Sequence, residues 1–157
     1  MRKIDKIILH CSATKVGQHF TTENIDQWHK ARGFSGIGYH YVIYLDGSVH
    51  KGRSEDQIGA HCLNHNSSSI GICYIGGLDS NGKPSDTRTQ AQKASLINLV
   101  NDLKAKYPDA EVSVFRCKKG ISLISYQSTS SRHCEGLFRS NPITFSRLLC
   151  YARNDEI

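Results

Sequence analysis

The feature that most constrains this chain is the apolar run Ile7-Ile8-Leu9, which leads directly into His10. Three consecutive apolar residues between polar ones indicate a strand buried on both faces. Cys11 and the small hydroxylated residues after it indicate a loop. A histidine at the end of such a strand is held rigidly, which suits a zinc ligand. A lone histidine in this position is more often a buried structural residue. The choice between a ligand and a structural residue therefore depends on motifs elsewhere in the chain.

Two further stretches predict strands. Residues 70–75 read as a central buried strand. Asp46-Gly47 lies between two β-rich runs and predicts a hairpin with a tight turn, because such turns need a positive φ. If the first of those runs is a regular strand, Tyr39 and Tyr41 share one of its faces.

Two helices and a last strand complete the pattern. Residues 21–33 begin with a threonine cap and end at a glycine, and His29 on this helix is predicted to be a surface residue. Residues 89–107 place apolar side chains at helical spacing, with Leu96, Leu99, Val100 and Leu103 on one face. Residues 111–115 read as a strand. The order strand, helix, hairpin, strand, helix, strand predicts an α/β fold with a mixed central β-sheet flanked by helices.

Composition limits the classes of function. A chain of 157 residues is long enough for one domain with its own core. The net charge of +6 includes no basic run with interleaved aromatic residues, so no nucleic-acid partner is indicated. The apolar run near the N-terminus is too short for a signal peptide or a membrane span. We therefore expect a cytoplasmic protein whose six cysteines stay reduced.

Several motifs in this order resemble those of zinc-dependent N-acetylmuramoyl-L-alanine amidases of the phage-lysozyme and peptidoglycan-recognition type. The resemblance covers about residues 4–115. The motifs that carry it are Ile8-Leu9-His10-Cys11-Ser12-Ala13-Thr14, Gln27-Trp28-His29, Gly38-Tyr39-His40-Tyr41-Val42-Ile43, Asp46-Gly47, Gly59-Ala60-His61, Asn66-Ser67-Ser68-Ser69-Ile70-Gly71-Ile72, Gly76-Gly77 and Thr89-Gln90-Ala91-Gln92.

The resemblance implies hydrolysis of the amide that joins N-acetylmuramic acid to the first L-alanine of the peptidoglycan stem peptide. It implies zinc as the cofactor, His10 as the first ligand, and Tyr39 as a catalytic residue that hydrogen-bonds the attacking water or the developing oxyanion. His61, Asn66 and Ser67 are the substrate-binding candidates. The implied partner is peptidoglycan or a muropeptide. We expect a monomer that acts on the cell wall after release from the cytoplasm.

The chain departs from the family after its last predicted strand. The family runs there into Gly-His-Arg-Asp and, later, into a lysine and a Cys-Pro pair. Here Cys117 occupies the place of the second histidine, and Cys134 is the later cysteine, without the proline. We therefore predict an amidase-like domain over residues 1–119 and an atypical, poorly packed tail over residues 120–157. The serine-rich, aperiodic tail resembles the translation of a bacterial intergenic repeat, which predicts a truncated or replaced C-terminus.

Three functions remain open from the sequence. The first is an active zinc amidase that uses His10 with the thiolates of Cys117 and Cys134. The second is a catalytically impaired module that still binds peptidoglycan on the same scaffold. The third is a regulatory role through contact with another protein, which no motif in the sequence specifically indicates.

Overall fold

The computed structural model describes residues 2–114, which form seven strands, two helices and a short 3₁₀ turn over Asn66–Ser68. The elements in chain order are β1 (Lys6–Cys11), β2 (Thr14–Lys15), α1 (Thr22–Ala31), β3 (Tyr41–Ile43), β4 (Val49–Lys51), β5 (Ser69–Tyr74), β6 (Gly77–Leu78), α2 (Gln90–Lys106) and β7 (Glu111–Val114). Cys117, Cys134 and the predicted tail lie outside the described residues.

A mixed five-stranded sheet occupies the centre, in the order β4-β3-β5-β1-β7. Strands β3, β5, β1 and β7 run parallel, and β4 joins the edge of β3 antiparallel. Every residue of β5 is buried, as its apolar run predicts. The two short strands β2 and β6 form a separate parallel pair. The predicted α/β class with a mixed sheet is confirmed.

Each face of the sheet packs against one helix. On one face, alternate residues of β1 and β5 meet the apolar stripe of α2 and form the larger core; its buried members include Ile7, Leu9, Ile70, Ile72, Leu96, Val100 and Leu103. On the other face, Ile25 of α1 packs with Val42 and Ile75. The first face is almost wholly apolar, whereas the second is shared between this smaller cluster and several histidines.

Local signals set the ends of both helices. Thr21 and Thr89 are the N-caps, and each forms a capping box with the residue three positions on. Gln92, the partner of Thr89, is fully buried, and its Nε2 donates to the carbonyl oxygens of Ile43 and Ile75. This amide therefore ties the start of α2 to the ends of β3 and β5.

The hairpin is correctly predicted, but its turn differs from the expected one. Gly47 has a φ of +86°, and its N–H donates to the carbonyl oxygen of Tyr44. Asp46 does not share the positive φ, so the loop is a three-residue connection with glycine in the left-handed position. The predicted common face of Tyr39 and Tyr41 is wrong. Regular strand begins only at Tyr41, so Tyr41 packs on the α2 side and Tyr39 on the α1 side.

The partly buried carboxylate of Glu55 links β3 to the C-terminal end of α2. Glu55 accepts hydrogen bonds from the phenols of Tyr41 and Tyr107 and pairs with the ammonium of Lys106 at 2.7 Å. Partial burial opposes ionisation of Glu55, but the bonds from Lys106, Tyr107 and Tyr41 outweigh it and lower its pKa to about 2.

No helix among the residues that the structure describes is long and apolar enough to cross a membrane.

The lowered pKa of Glu55 predicts a stability loss in acid. Ionised Glu55 contributes its full stabilisation above the unfolded pKa near 4.5, and this contribution disappears as the pH falls toward about 2. We expect Glu55→Gln to flatten the dependence of the urea unfolding midpoint on pH between these limits. Asp102→Asn, at an exposed carboxylate of α2, serves as the control. An unchanged pH profile in Glu55→Gln would contradict the prediction.

Candidate active site on the sheet face

His10 is the penultimate residue of β1 and lies opposite Cys73 of β5. Residues paired across neighbouring parallel strands share a face, and Cys73 is likewise paired with Val42 of the α1-side cluster. The imidazole of His10 therefore projects to the side of the sheet that carries α1. Only 5% of the residue is exposed.

Tyr39 meets His10 above this face. The ring centroids of the two residues are 5.2 Å apart, with planes inclined at 50°. Tyr39 precedes β3, whereas His10 is near the carboxyl end of the parallel strand β1. The two side chains therefore approach from opposite ends of the strands and meet over the sheet. The sequence leads us to expect a common cleft, which the ring contact supports, but it does not predict this approach from opposite ends.

His61 is the third ring of the cluster. Its Nδ1 lies 3.0 Å from Nε2 of His10, with the rings at 82° to each other. Space for this imidazole depends on glycine: a Cβ added at Gly71 or at Gly59 would come within 2.5 Å of the His61 ring. Any side chain at these two positions would displace the ring. The sequence predicts His61 as a substrate-binding residue, and the structure brings it directly against the predicted metal ligand.

The loop after His61 is held by its own side chains and by the N-terminus. Asn66 Oδ1 accepts from the backbone N–H groups of His61 and Cys62, each at 2.8 Å. The guanidinium of Arg2 donates to the carbonyl oxygens of Asn66, Ser67 and Ser69 at 3.2, 3.1 and 2.9 Å. Ser67 itself is exposed. The side-chain oxygen of Asn66 is therefore used to hold the loop backbone, while the Ser67 side chain is accessible to a ligand.

His29 is not the surface residue that the sequence predicts. It is 6% exposed, and its Nδ1 accepts from the N–H of Gly38 at 2.8 Å. One turn earlier in α1, Asp26 accepts from the N–H of Ile37 at 2.8 Å. Together they fix the two residues before Tyr39, whose ring lies 5.3 Å from the His29 ring. The expectation fails because the acceptor role of His29 depends on a loop that folds back onto α1.

His40 was not singled out by the sequence, although it is fully buried beside the cluster. Its Nδ1 accepts from the N–H of Gly71, and its Nε2 lies 3.1 Å from the carbonyl oxygen of Gln57. Accepting at Nδ1 leaves the ring proton for Nε2, which also lies 2.8 Å from Nη2 of Arg2, so the guanidinium and the carbonyl oxygen of Gln57 meet at the same ring nitrogen. His40 thereby supports Gly71, the residue beneath the His61 ring. Its position directly after Tyr39 is the only signal that the sequence offers.

Burial controls the protonation of the cluster. Loss of solvent, followed by the proximity of His61 and His29, holds the pKa of His10 well below its usual value. Burial, and then neighbouring His40, lowers the pKa of His61 to about 3. Burial, followed by Cys73 and Cys11, raises the pKa of Tyr39 well above 10. Near pH 7 the site therefore offers neutral imidazoles, which can bind a metal, and a protonated phenol, which can donate a hydrogen bond.

The donor set fits part of a zinc site. His10 and His61 supply neutral ring nitrogens that zinc binds readily. Within residues 2–114, no group of three or more histidine, cysteine or acidic side chains is arranged to hold a metal. The other predicted ligands, Cys117 and Cys134, lie outside the described residues.

The bond between His29 and Gly38 predicts a stability effect. His29→Leu keeps apolar volume but leaves the buried N–H of Gly38 without its acceptor, which should cost about 1–3 kcal/mol of unfolding free energy. His29→Asn restores an acceptor near the position of Nδ1 and should recover part of this loss. Urea unfolding measures both, with Gln27→Leu at an exposed position of α1 as the control. Equal losses in the leucine and asparagine variants would contradict the assigned role.

Comparisons with known proteins identify the family of this chain. A family model described as N-acetylmuramoyl-L-alanine amidase matches residues 1–135. The endolysin of Escherichia phage T7 is 45% identical over 106 residues, covering 68% of this chain and 70% of that protein. The endolysin of Klebsiella phage KP32 is 40% identical over 109 residues, covering 69% and 72%. The solved structure of the N-acetylmuramoyl-L-alanine amidase LysC from Clostridium intestinale aligns with a TM-score of 0.61 and 32% identity, covering 72% of this chain and 70% of that one. The chain with His10, Tyr39 and His61 on one face of its sheet belongs to the N-acetylmuramoyl-L-alanine amidase family, of the type found in phage endolysins.

Proposed function

We propose that this chain hydrolyses the amide between N-acetylmuramic acid and the L-alanine of the peptidoglycan stem peptide, at the cluster formed by His10 and Tyr39. Membership of the amidase family supports the reaction. The observation that supports this location is the distance of 5.2 Å between the ring centroids of His10 and Tyr39 on the α1 side of the sheet. The substrate is then peptidoglycan or a muropeptide, bound over that face.

The family is generally zinc-dependent, and we propose that this chain uses zinc as well. His10 is the predicted ligand within the described residues, and Cys117 and Cys134 are the predicted further ligands. When bound, zinc supplies Lewis acidity that polarises the scissile carbonyl and lowers the pKa of water to about 7. The rigid end of β1 holds the His10 nitrogen in place for this task.

Tyr39 supplies a hydrogen bond where negative charge develops. Because its pKa is raised, the phenol keeps its proton across the neutral range and can donate it to an oxyanion. The bonds from α1 to the residues before Tyr39 restrict the movement of the ring. A donor fixed before the reaction stabilises the transition state without a cost of reorganisation at that moment.

The loop that follows His61 is proposed to bind the polar parts of the substrate. Ser67 is exposed and its backbone is anchored by Arg2, so its hydroxyl can meet a ligand without loss of loop structure. Asn66 contributes its remaining amide N–H groups, because its oxygen is engaged by the loop backbone. We further propose that the protein is a monomer and that it acts on the cell wall after release from the cytoplasm.

Analysis of digestion products tests the reaction. We expect zinc-loaded protein, incubated with purified peptidoglycan, to release stem peptides with a free N-terminal L-alanine and to leave the glycan chains intact, as measured by mass spectrometry. Products of glycosidic or peptide-bond cleavage would contradict the proposal. Binding to peptidoglycan without any of these products would identify the chain as a binding module and would also contradict it.

Replacing the phenol tests the role of Tyr39. Tyr39→Phe should lower kcat by about 10²–10³-fold, with a smaller change in KM, because the hydrogen bond strengthens in the transition state. Tyr44→Phe is the matched control, since the Tyr44 hydroxyl bonds to Thr22 and its ring stacks on His50, away from this cluster. Equal kcat values in Tyr39→Phe and the wild type would remove Tyr39 from the mechanism.

A further inference from the structure

The nitrogens of His10 and His61 converge on a single position. Nε2 of His10 and Nδ1 of His61 are 3.0 Å apart, and their rings meet edge to face. Two nitrogens bound to one tetrahedral zinc ion are separated by about 3.3 Å, given bonds of about 2.0–2.1 Å. An opening of a few tenths of an ångström would therefore let both rings bind one ion.

The hydrogen-bond network directs the lone pair of His61 toward this position. The Ser69 hydroxyl donates to the carbonyl oxygen of His65 at 2.7 Å, which commits its proton. The Ser69 oxygen can therefore only accept from Nε2 of His61, at 3.4 Å. With the proton on Nε2, Nδ1 of His61 carries the lone pair that faces His10. Histidines that bind metals are typically oriented in this way, by an acceptor for the other ring N–H.

The loop also holds His61 in this place. Asn66 accepts from the N–H of His61, and the missing side chains of Gly59 and Gly71 leave room for the ring. The buried His40 packs against it with ring centroids 5.6 Å apart. The imidazole is thus supported on several sides, as a ligand has to be for binding to cost little reorganisation.

We propose that His61 is a zinc ligand of this chain, binding through Nδ1 to the same ion as Nε2 of His10. This inference rests on the zinc dependence in the proposed function. His61 would be the second nitrogen ligand. In this chain the last predicted strand runs into Cys117, where the resembled family has its second histidine.

Zinc affinity tests the assignment independently of catalysis. The full chain is stripped of metal and titrated with zinc against a chromophoric chelator. We expect His61→Gln to weaken zinc binding by at least about tenfold. His65→Gln makes the same change in the same loop and should leave the affinity unchanged. Unaltered affinity in His61→Gln would overturn the assignment and leave His61 as a hydrogen-bond partner of His10 only.

Cobalt substitution gives a second measurement. We expect the visible absorption of the cobalt-loaded protein to change in His61→Gln and to remain unchanged in His65→Gln, because the visible bands report the ligand set. Identical spectra in all three proteins would also overturn the assignment. Circular dichroism of the metal-free proteins checks that each variant folds.

Ser69→Ala keeps the imidazole but removes the acceptor of its Nε2–H, so it tests the assignment if His61→Gln does not fold. We expect this variant to bind zinc about tenfold more weakly, and unchanged affinity would count against the assignment. The outcomes also separate the two proposals. Amidase activity in the wild type with zinc retained by His61→Gln refutes only the ligand role. A wild type that neither binds zinc nor cleaves peptidoglycan refutes both.

Discussion

The parallel pairing of β1 with β5 is the constraint on which the rest of the structure depends. Its register sets His10 beside Cys73 and places Gly71 two residues back on the same face. That glycine leaves the space into which the His61 ring fits. A shift of one residue would turn His10 into the apolar core against α2 if β1 moved, or bring Ile70 or Ile72 under the His61 ring if β5 moved. The functional face therefore exists only in this register.

The same sheet separates two environments. The α2 side is filled by aliphatic residues and supplies most of the buried apolar contact. The α1 side combines a smaller apolar cluster with buried histidines whose nitrogens are used in defined bonds. Burial lowers the pKa of these rings and outweighs the opposing effects of Asp26 on His29 and of Glu55 on His40, so the rings stay neutral, the state that metal binding and backbone acceptance both require. Stability and chemistry are thus assigned to opposite faces of one sheet.

Much of the fold could be predicted because its signals are local. The apolar runs of β1 and β5, the threonine caps of both helices and the left-handed Gly47 act within a few residues. The predictions failed where the surroundings of a residue depend on segments distant in the sequence. His29 is buried because the loop before Tyr39 folds back onto α1. The contact of His61 with His10 joins residues 51 positions apart and depends on Gly71, which no spacing rule connects to either. The end of a buried strand marked His10 only as a candidate ligand, and the family motifs gave His10 and Tyr39 their predicted roles.

Diffraction from zinc-loaded crystals, recorded on both sides of the zinc absorption edge, tests the central claim most directly. The account places the ion over the α1 side of the sheet at the end of β1, beside Tyr39. It predicts an anomalous peak about 2.0–2.1 Å from the His10 nitrogen that faces His61. The absence of a peak, or a peak bonded only to residues elsewhere in the chain, would contradict the claim that this face is the metal site.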